Sequence, residues 1–204
     1  MYWLRFAYLL WLAGFWEVLG SLPASCCLAP PGDMVYWRAG RPLRWNDFQA
    51  HTCLLPAKAS ERTVGACSAT AITVLPCTDQ RGRSTFRVDS YFIRSRSWVR
   101  DSTRYDNRLV LLHEQVHFNI NELYARKIRE AVAAYYQANR YPFGADLHEH
   151  IALLLLQKNA CNSRFDAEAA ADAIGGSVGK WQATVQQQLQ ELAPYEAGSC
   201  PCGW

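Results

Sequence analysis

Apolar and polar residues alternate one by one over residues 86–99. Phe86, Val88, Ser90 and Phe92 fall on one side, and Arg87, Asp89, Tyr91 and Ile93 on the other. That period of two predicts a half-buried strand. Residues 63–75 are rich in small and β-branched types, and Gln80-Arg81-Gly82-Arg83 between the two runs has turn chemistry, so a hairpin is expected. Met34-Val35-Tyr36-Trp37 predicts another short strand. Leu43-Arg44-Trp45-Asn46-Asp47-Phe48 predicts a short ordered element, with Asp47 as a cap and Trp45 and Phe48 as core anchors.

From Asn107 the period lengthens. Leu109, Leu112, Val116 and Ile120 recur at spacings of three to four, the stripe of an amphipathic helix. A helix is expected over 107 to about 139, capped by Asp106 or Asn107 and stopped at Tyr141-Pro142-Phe143-Gly144. Asp146 can cap a second helix through Leu147, Ile151, Leu154 and Leu155 to about Asn159. A third is expected to begin near Asp166. After Gly175-Gly176-Ser177, a last helix carries Trp181, Val185, Leu189 and Leu192. Strands first and helices afterwards predict an α+β fold, a small antiparallel sheet followed by a helical half.

The first long helix carries His113-Glu114-Gln115-Val116-His117. Four residues make slightly more than one turn, so both imidazoles stand on one face. Two neutral imidazoles at that separation can hold one zinc ion, and Glu114 can reach a water on that metal without being a ligand. The competing explanation is a chance match on an ordinary amphipathic helix. Placement on an apolar helix, in a chain with only 5 His, favours the metal.

Composition adds the compartment. The 204 residues are 50% hydrophobic with a net charge of +3, enough for one domain with a proper core and without a basic block that would suit nucleic acid. Arg5, the apolar run 6–16 and Ser21-Leu22-Pro23-Ala24-Ser25 form a charged start, an apolar middle and a cleavage zone. Residues 1–25 therefore read as a signal peptide, and 26–204 as a single exported domain, periplasmic or extracellular. The apolar run is too short for a bilayer core, which takes about 20 residues, so a membrane or lipid anchor at the N-terminus is the alternative. The 8 Cys fit an oxidising compartment, and structural disulfides are expected rather than a second zinc site.

The run His113-Glu114-Gln115-Val116-His117-Phe118-Asn119-Ile120-Asn121-Glu122-Leu123-Tyr124-Ala125-Arg126 resembles a bacterial family of predicted secreted zinc-dependent proteases, with Asn119 where the family has Asp. Leu43-Arg44-Trp45-Asn46-Asp47-Phe48 is similar to its opening L-x-W-x-D-F, Ser97-Trp98-Val99 to its Ser-Trp-Val, and Trp181 to its late Trp. The resemblance covers roughly residues 43–192. It implies a zinc-bound peptidase-like fold and an exported protein, and the peptidase reading makes a protein or peptide the expected substrate.

Catalytic zinc usually takes three protein ligands, and a later helix usually supplies the third as an acid. The family's Y-D-x-E-T-x-H-G becomes Phe165-Asp166-Ala167-Glu168-Ala169-Ala170-Ala171-Asp172, which keeps the Asp and Glu but lacks the Thr and His-Gly. Asp166 is the first choice for the third ligand and Glu168 the second. The Glu168-to-Asp172 spacing also resembles the E-x-x-x-D of other zinc peptidases, whose Asp orients a ligand His. A degenerate site is the alternative. Glu122 lies about 140° around the helix from His117 and reads as a surface partner of Arg126. His148 and His150 diverge from each other, with His150 a distant further ligand candidate. Arg94, Arg96 and Arg100 read as a solvated face, and Tyr105 as an unaimed oxyanion donor. Zinc, a water activated by Glu114 and a peptide substrate make the expected chemistry. A catalytically inactive, exported or surface-anchored binding module on the same scaffold is the rival.

Overall fold

The structure, a computed structural model, describes residues 32–52, 65–78, 82, 84–100, 107–138, 144–172 and 176–197. The export segment 1–25, Tyr105, Asp106 and Cys26, Cys27, Cys53, Cys200 and Cys202 lie outside them, and so do the expectations attached to each.

Five strands precede three helices: β1 Met34–Tyr36, β2 Ala66–Cys67, β3 Thr70–Thr78, β4 Ser84–Ile93, β5 Trp98–Val99, α1 Asn107–Ala138, α2 Ala145–Ala171 and α3 Gly176–Glu191. The fold is α+β with its helical half C-terminal. β1, β4 and β3 form an antiparallel sheet in that order, and β2 pairs antiparallel with β5 in a second, two-stranded one. Register runs from Thr70 opposite Phe92 to Thr78 opposite Ser84, so β3 and β4 are the arms of the expected hairpin. Gly82, between the arms, has φ +75°, a left-handed conformation that glycine adopts without a Cβ penalty. Pro76 interrupts no central ladder because β3 is an edge strand.

Phe86, Val88, Ser90 and Phe92 are all buried as the alternation predicts, but Tyr91, on the opposite side, is buried as well, so strict alternation ends at Ser90. Ser90 sits among apolar residues because Asn121 of α1 donates to its hydroxyl at 3.0 Å and to the Ala71 carbonyl at 2.7 Å. A single turn of 3₁₀ helix, Trp45–Asp47, precedes the hairpin. Asp47 does cap, since its carboxylate accepts the Arg44 N–H at 3.0 Å. Phe48 bridges Trp45 and Phe92, with ring centroids 5.2 and 5.1 Å away.

α1 is the axis on which the rest packs, about 48 Å long at 1.5 Å per residue. Val116, Ile120, Leu123 and Ile128 on it are buried in one core with Phe86 and Val88 of β4, Leu147, Ile151, Leu154 and Phe165 of α2 and Val185 and Leu189 of α3. Phe118 turns into a second cluster with Val35, Leu43, Phe48 and Phe92. Leu109, expected in the stripe, is 49% exposed, so burial starts one turn later.

Further expectations need correction. Asp146 does not cap its helix, whose N-cap is Gly144 without a side-chain capping bond; it lies in the first turn of α2. The helices expected to end near Asn159 and to begin near Asp166 are one continuous helix, α2. No proline or glycine separates them, Leu147, Ile151, Leu154 and Phe165 keep one stripe buried throughout, and Asn162 bonds back to the Lys158 carbonyl one turn earlier. Glu122 is not on the surface either. It is 1% exposed, held by Arg126 Nε at 3.0 Å and Arg129 Nη1 at 2.9 Å. The i+4 spacing named the partner correctly, but the apolar residues flanking Glu122 place that pair inside.

Candidate metal centre

His113 and His117 leave α1 on the face turned to α2, where their rings touch each other with centroids 4.8 Å apart and Phe165 of α2 packs as a wedge against both. Its ring centroid lies 4.4 Å from His113 and 4.9 Å from His117, and it is fully buried. Trp181 of α3 backs Phe165 at 5.4 Å. The residue after Phe165 then points past the wedge to the histidines. Asp166 Oδ1 lies 3.2 Å from His113 Nε2 and 2.9 Å from His117 Nε2, and the two Nε2 atoms are 3.1 Å apart.

Three donor atoms thus stand at the corners of a nearly equilateral triangle. Around a tetrahedral zinc with bonds near 2.0–2.1 Å, ligand atoms are separated by about 3.3 Å. Two imidazole nitrogens and a carboxylate oxygen are also ligand types that zinc takes. The donor set fits a zinc ion in both chemistry and spacing. These three are the group of His, Cys, Asp and Glu side chains among the described residues that could share a metal. One side is open, since the Asp166 side chain is 55% exposed against 16% for His117.

Charge is distributed to match. Burial works against a charged His117, but the Asp166 hydrogen bond, the charges of Glu114 and Asp166 and the Asn162 hydrogen bond together raise its pKa. Burial also works against a charged Asp166, yet hydrogen bonds from His113 and His117, then their positive charge, hold its carboxyl well below the ordinary carboxylate range. Glu114, on the same helix, is 4% exposed, and its charge is felt at His117.

The second-choice ligand is elsewhere. Glu168 accepts from Trp181 Nε1 at 2.7 Å and Arg164 Nε at 2.9 Å, and so positions the tryptophan behind the wedge. The Asp172 carboxylate accepts the Ser177 N–H at the start of α3 and is outside the donor group. His148 is exposed and its Nδ1 faces the Gly144 carbonyl at 3.1 Å, while His150 is exposed on the same helix; neither joins the donor group. Arg94 is not simply solvated, since it reaches Asp47 at 3.2 Å beside Arg41 at 2.8 Å.

Two residues escaped the sequence reading. Asn162 Oδ1 lies 2.7 Å from His117 Nδ1, and Phe165 orients both rings. The signal for Asn162 was its place one turn before Asp166, hence on the same face of α2. Asn119, where the resembling family has Asp, looks to the opposite side of α1. Its Oδ1 accepts from Trp37 Nε1 at 2.9 Å and Gln115 Nε2 at 2.8 Å, and its Nδ2 donates to Gln182 at 3.1 Å. A carboxylate would lose that last donor, so the amide suits this network.

No protein-family model, curated protein or solved structure matches the chain.

Proposed function

We propose that this protein is an exported zinc-dependent hydrolase that cleaves peptide bonds. The observation that carries the reading is the convergence of His113 Nε2, His117 Nε2 and Asp166 Oδ1 within 3.2 Å of one another, with buried Glu114 beside His117. The resemblance around His113-Glu114-Gln115-Val116-His117-Phe118 supports the peptidase assignment, and the apolar N-terminal run supports export.

His113, His117 and Asp166 would hold the ion. Zinc held by them would supply an acidified water and Lewis-acid polarisation of a substrate carbonyl. Glu114 accepts the proton of the attacking water and returns it to the leaving amine. A carboxylate next to an imidazole cluster suits this shuttle, because it stays out of the ligand set. Phe165 packs on both imidazoles, and the exposed Asp166 side chain leaves that side of the site in reach of solvent.

The rival is a non-catalytic binding module on the same scaffold, drawn from the missing Thr and His-Gly after Glu168. Metal content of the full chain decides the first step. Wild type is expected to hold one zinc per chain and His113→Ala to lose it. Well-folded wild type that takes up no zinc when supplied would overturn the proposal, and zinc without any turnover would favour the rival.

A further inference from the structure

We infer that Asn162 is a positioning residue for the metal centre, one that commits His117 to binding through Nε2. The inference rests on the zinc reading above and adds a residue that the motif does not contain.

An imidazole can present either nitrogen to a metal, and the proton on the other nitrogen decides which. At His117 the partner of Nδ1 is Asn162 Oδ1, 2.7 Å away. An amide side chain can offer either an acceptor or a donor at that position, so its orientation needs its own determinant. The Lys158 carbonyl provides it, accepting from Asn162 Nδ2 at 3.1 Å. A carbonyl only accepts. Turning the amide over would set Oδ1 against the Lys158 oxygen and Nδ2 against His117. Asn162 is therefore held with its oxygen towards the ring, His117 Nδ1 must carry the proton, and Nε2 faces His113 and Asp166.

The relay also explains why the unbroken course of α2 matters. Lys158, Asn162 and Asp166 follow one another at four-residue steps on one face. The helix backbone carbonyl fixes the amide, the amide fixes the imidazole, and the next residue in the row supplies the carboxylate. Outer partners of this kind typically contribute 10- to 100-fold in metal affinity, so about that loss is expected when the acceptor is removed.

The test uses cobalt(II) as the metal, bound to wild type, His113→Ala, Asn162→Leu and Asn162→Asp. Affinity is measured by calorimetry, and proton NMR follows the paramagnetically shifted, solvent-exchangeable N–H of each metal-bound imidazole. Wild type is expected to bind tightly and to show a slowly exchanging N–H from His117. Asn162→Leu is expected to bind roughly 10- to 100-fold more weakly and to lose that signal to fast exchange. Asn162→Asp keeps an acceptor, so it is expected to keep both affinity and signal.

Asn162→Leu with wild-type affinity and an intact signal would overturn the role of Asn162 and leave the metal reading standing. Asn162→Asp failing as badly as the Leu variant would do the same, and it stays decisive if the Leu variant does not fold. Wild type binding no better than His113→Ala would overturn the metal reading itself and this inference with it.

Discussion

The carboxylate oxygen of Asp166 lies 2.9 Å from His117 Nε2, although the two residues belong to different helices. Glu168, two residues on, is turned to Trp181 and Arg164. The choice between two neighbouring acids is therefore made by helix geometry, since two residues along α2 rotate the side chain about 200° away.

Removal of each acid should separate them. Asp166→Ala is expected to weaken zinc binding by at least about 100-fold, more than loss of an outer partner costs. Glu168→Ala should stay within about threefold of wild type and act mainly on stability, by releasing Trp181. Competition against a chromophoric chelator measures both. Equal losses in the two variants would sink the assignment of Asp166.

Glu114 is expected to serve turnover rather than metal affinity. Glu114→Gln keeps the shape and the burial but cannot accept a proton from water. Against any peptide that wild type cleaves, its kcat should fall by about 10²- to 10⁴-fold, the range usual for a positioned general base. Zinc content should not change. Full activity with bound zinc in this variant would remove Glu114 from the mechanism.

The ionisation of the centre predicts opposite pH trends for stripped and zinc-loaded protein. His117 is raised above its ordinary 6.5, so the stability it contributes is complete below that value and is lost as pH rises through the folded pKa. Asp166 is lowered from its ordinary 3.8, so its contribution is present above that value and is lost as pH falls through the folded pKa. Chelator-treated protein should therefore gain most from this pair between about pH 4 and 6.5 and decline in Tm on the alkaline side. Zinc competes with the proton on His117, so its affinity should rise over the same alkaline interval. The Tm difference between loaded and stripped protein should widen from pH 6 to 8. A difference that narrows would contradict the shared use of His117 Nε2.

What could be read in the sequence followed from local periodicity, and what could not depended on packing partners. Alternation along 86–93 gave the buried face of β4, and the spacing of His113 and His117 put both rings on one side of α1. Asp166 was a choice among acids because nothing in a linear chain says where α2 passes over α1. The same limit split α2 in two, since the polar stretch Lys158-Asn159 looks like an ending until Phe165 is seen buried beyond it. Asn162 was overlooked for a related reason: its place one turn before Asp166 counts only once α2 is continuous. Its side chain is ordinary for a half-exposed helix, and its meaning comes only from the imidazole on the neighbouring helix.

Glu122 shows the cost of the same limit, and it supplies the sharpest stability prediction. Four positions before Arg126, it has the spacing of a solvent-exposed pair, which would contribute little. Inside the protein it neutralises two guanidiniums. Arg126, itself 2% exposed, also donates to the Leu189 carbonyl at 2.7 Å and pairs with Glu196 at 3.1 Å. Arg129 reaches the Val88 carbonyl at 2.8 Å and the Tyr195 carbonyl at 3.0 Å. Glu122 thus holds the two arginines that tie α1 to β4 and to the end of α3. Glu122→Ala would leave Arg126 and Arg129 with too little countercharge in the interior, and breaking a buried pair from one side costs about 3–5 kcal/mol. Urea unfolding should show that loss, while Glu191→Ala on the exposed face of α3 should change stability by less than about 0.5 kcal/mol. A small effect for Glu122→Ala, comparable to the surface control, would mean that the arginines find water when the carboxylate is removed. The triad would then be a surface network after all.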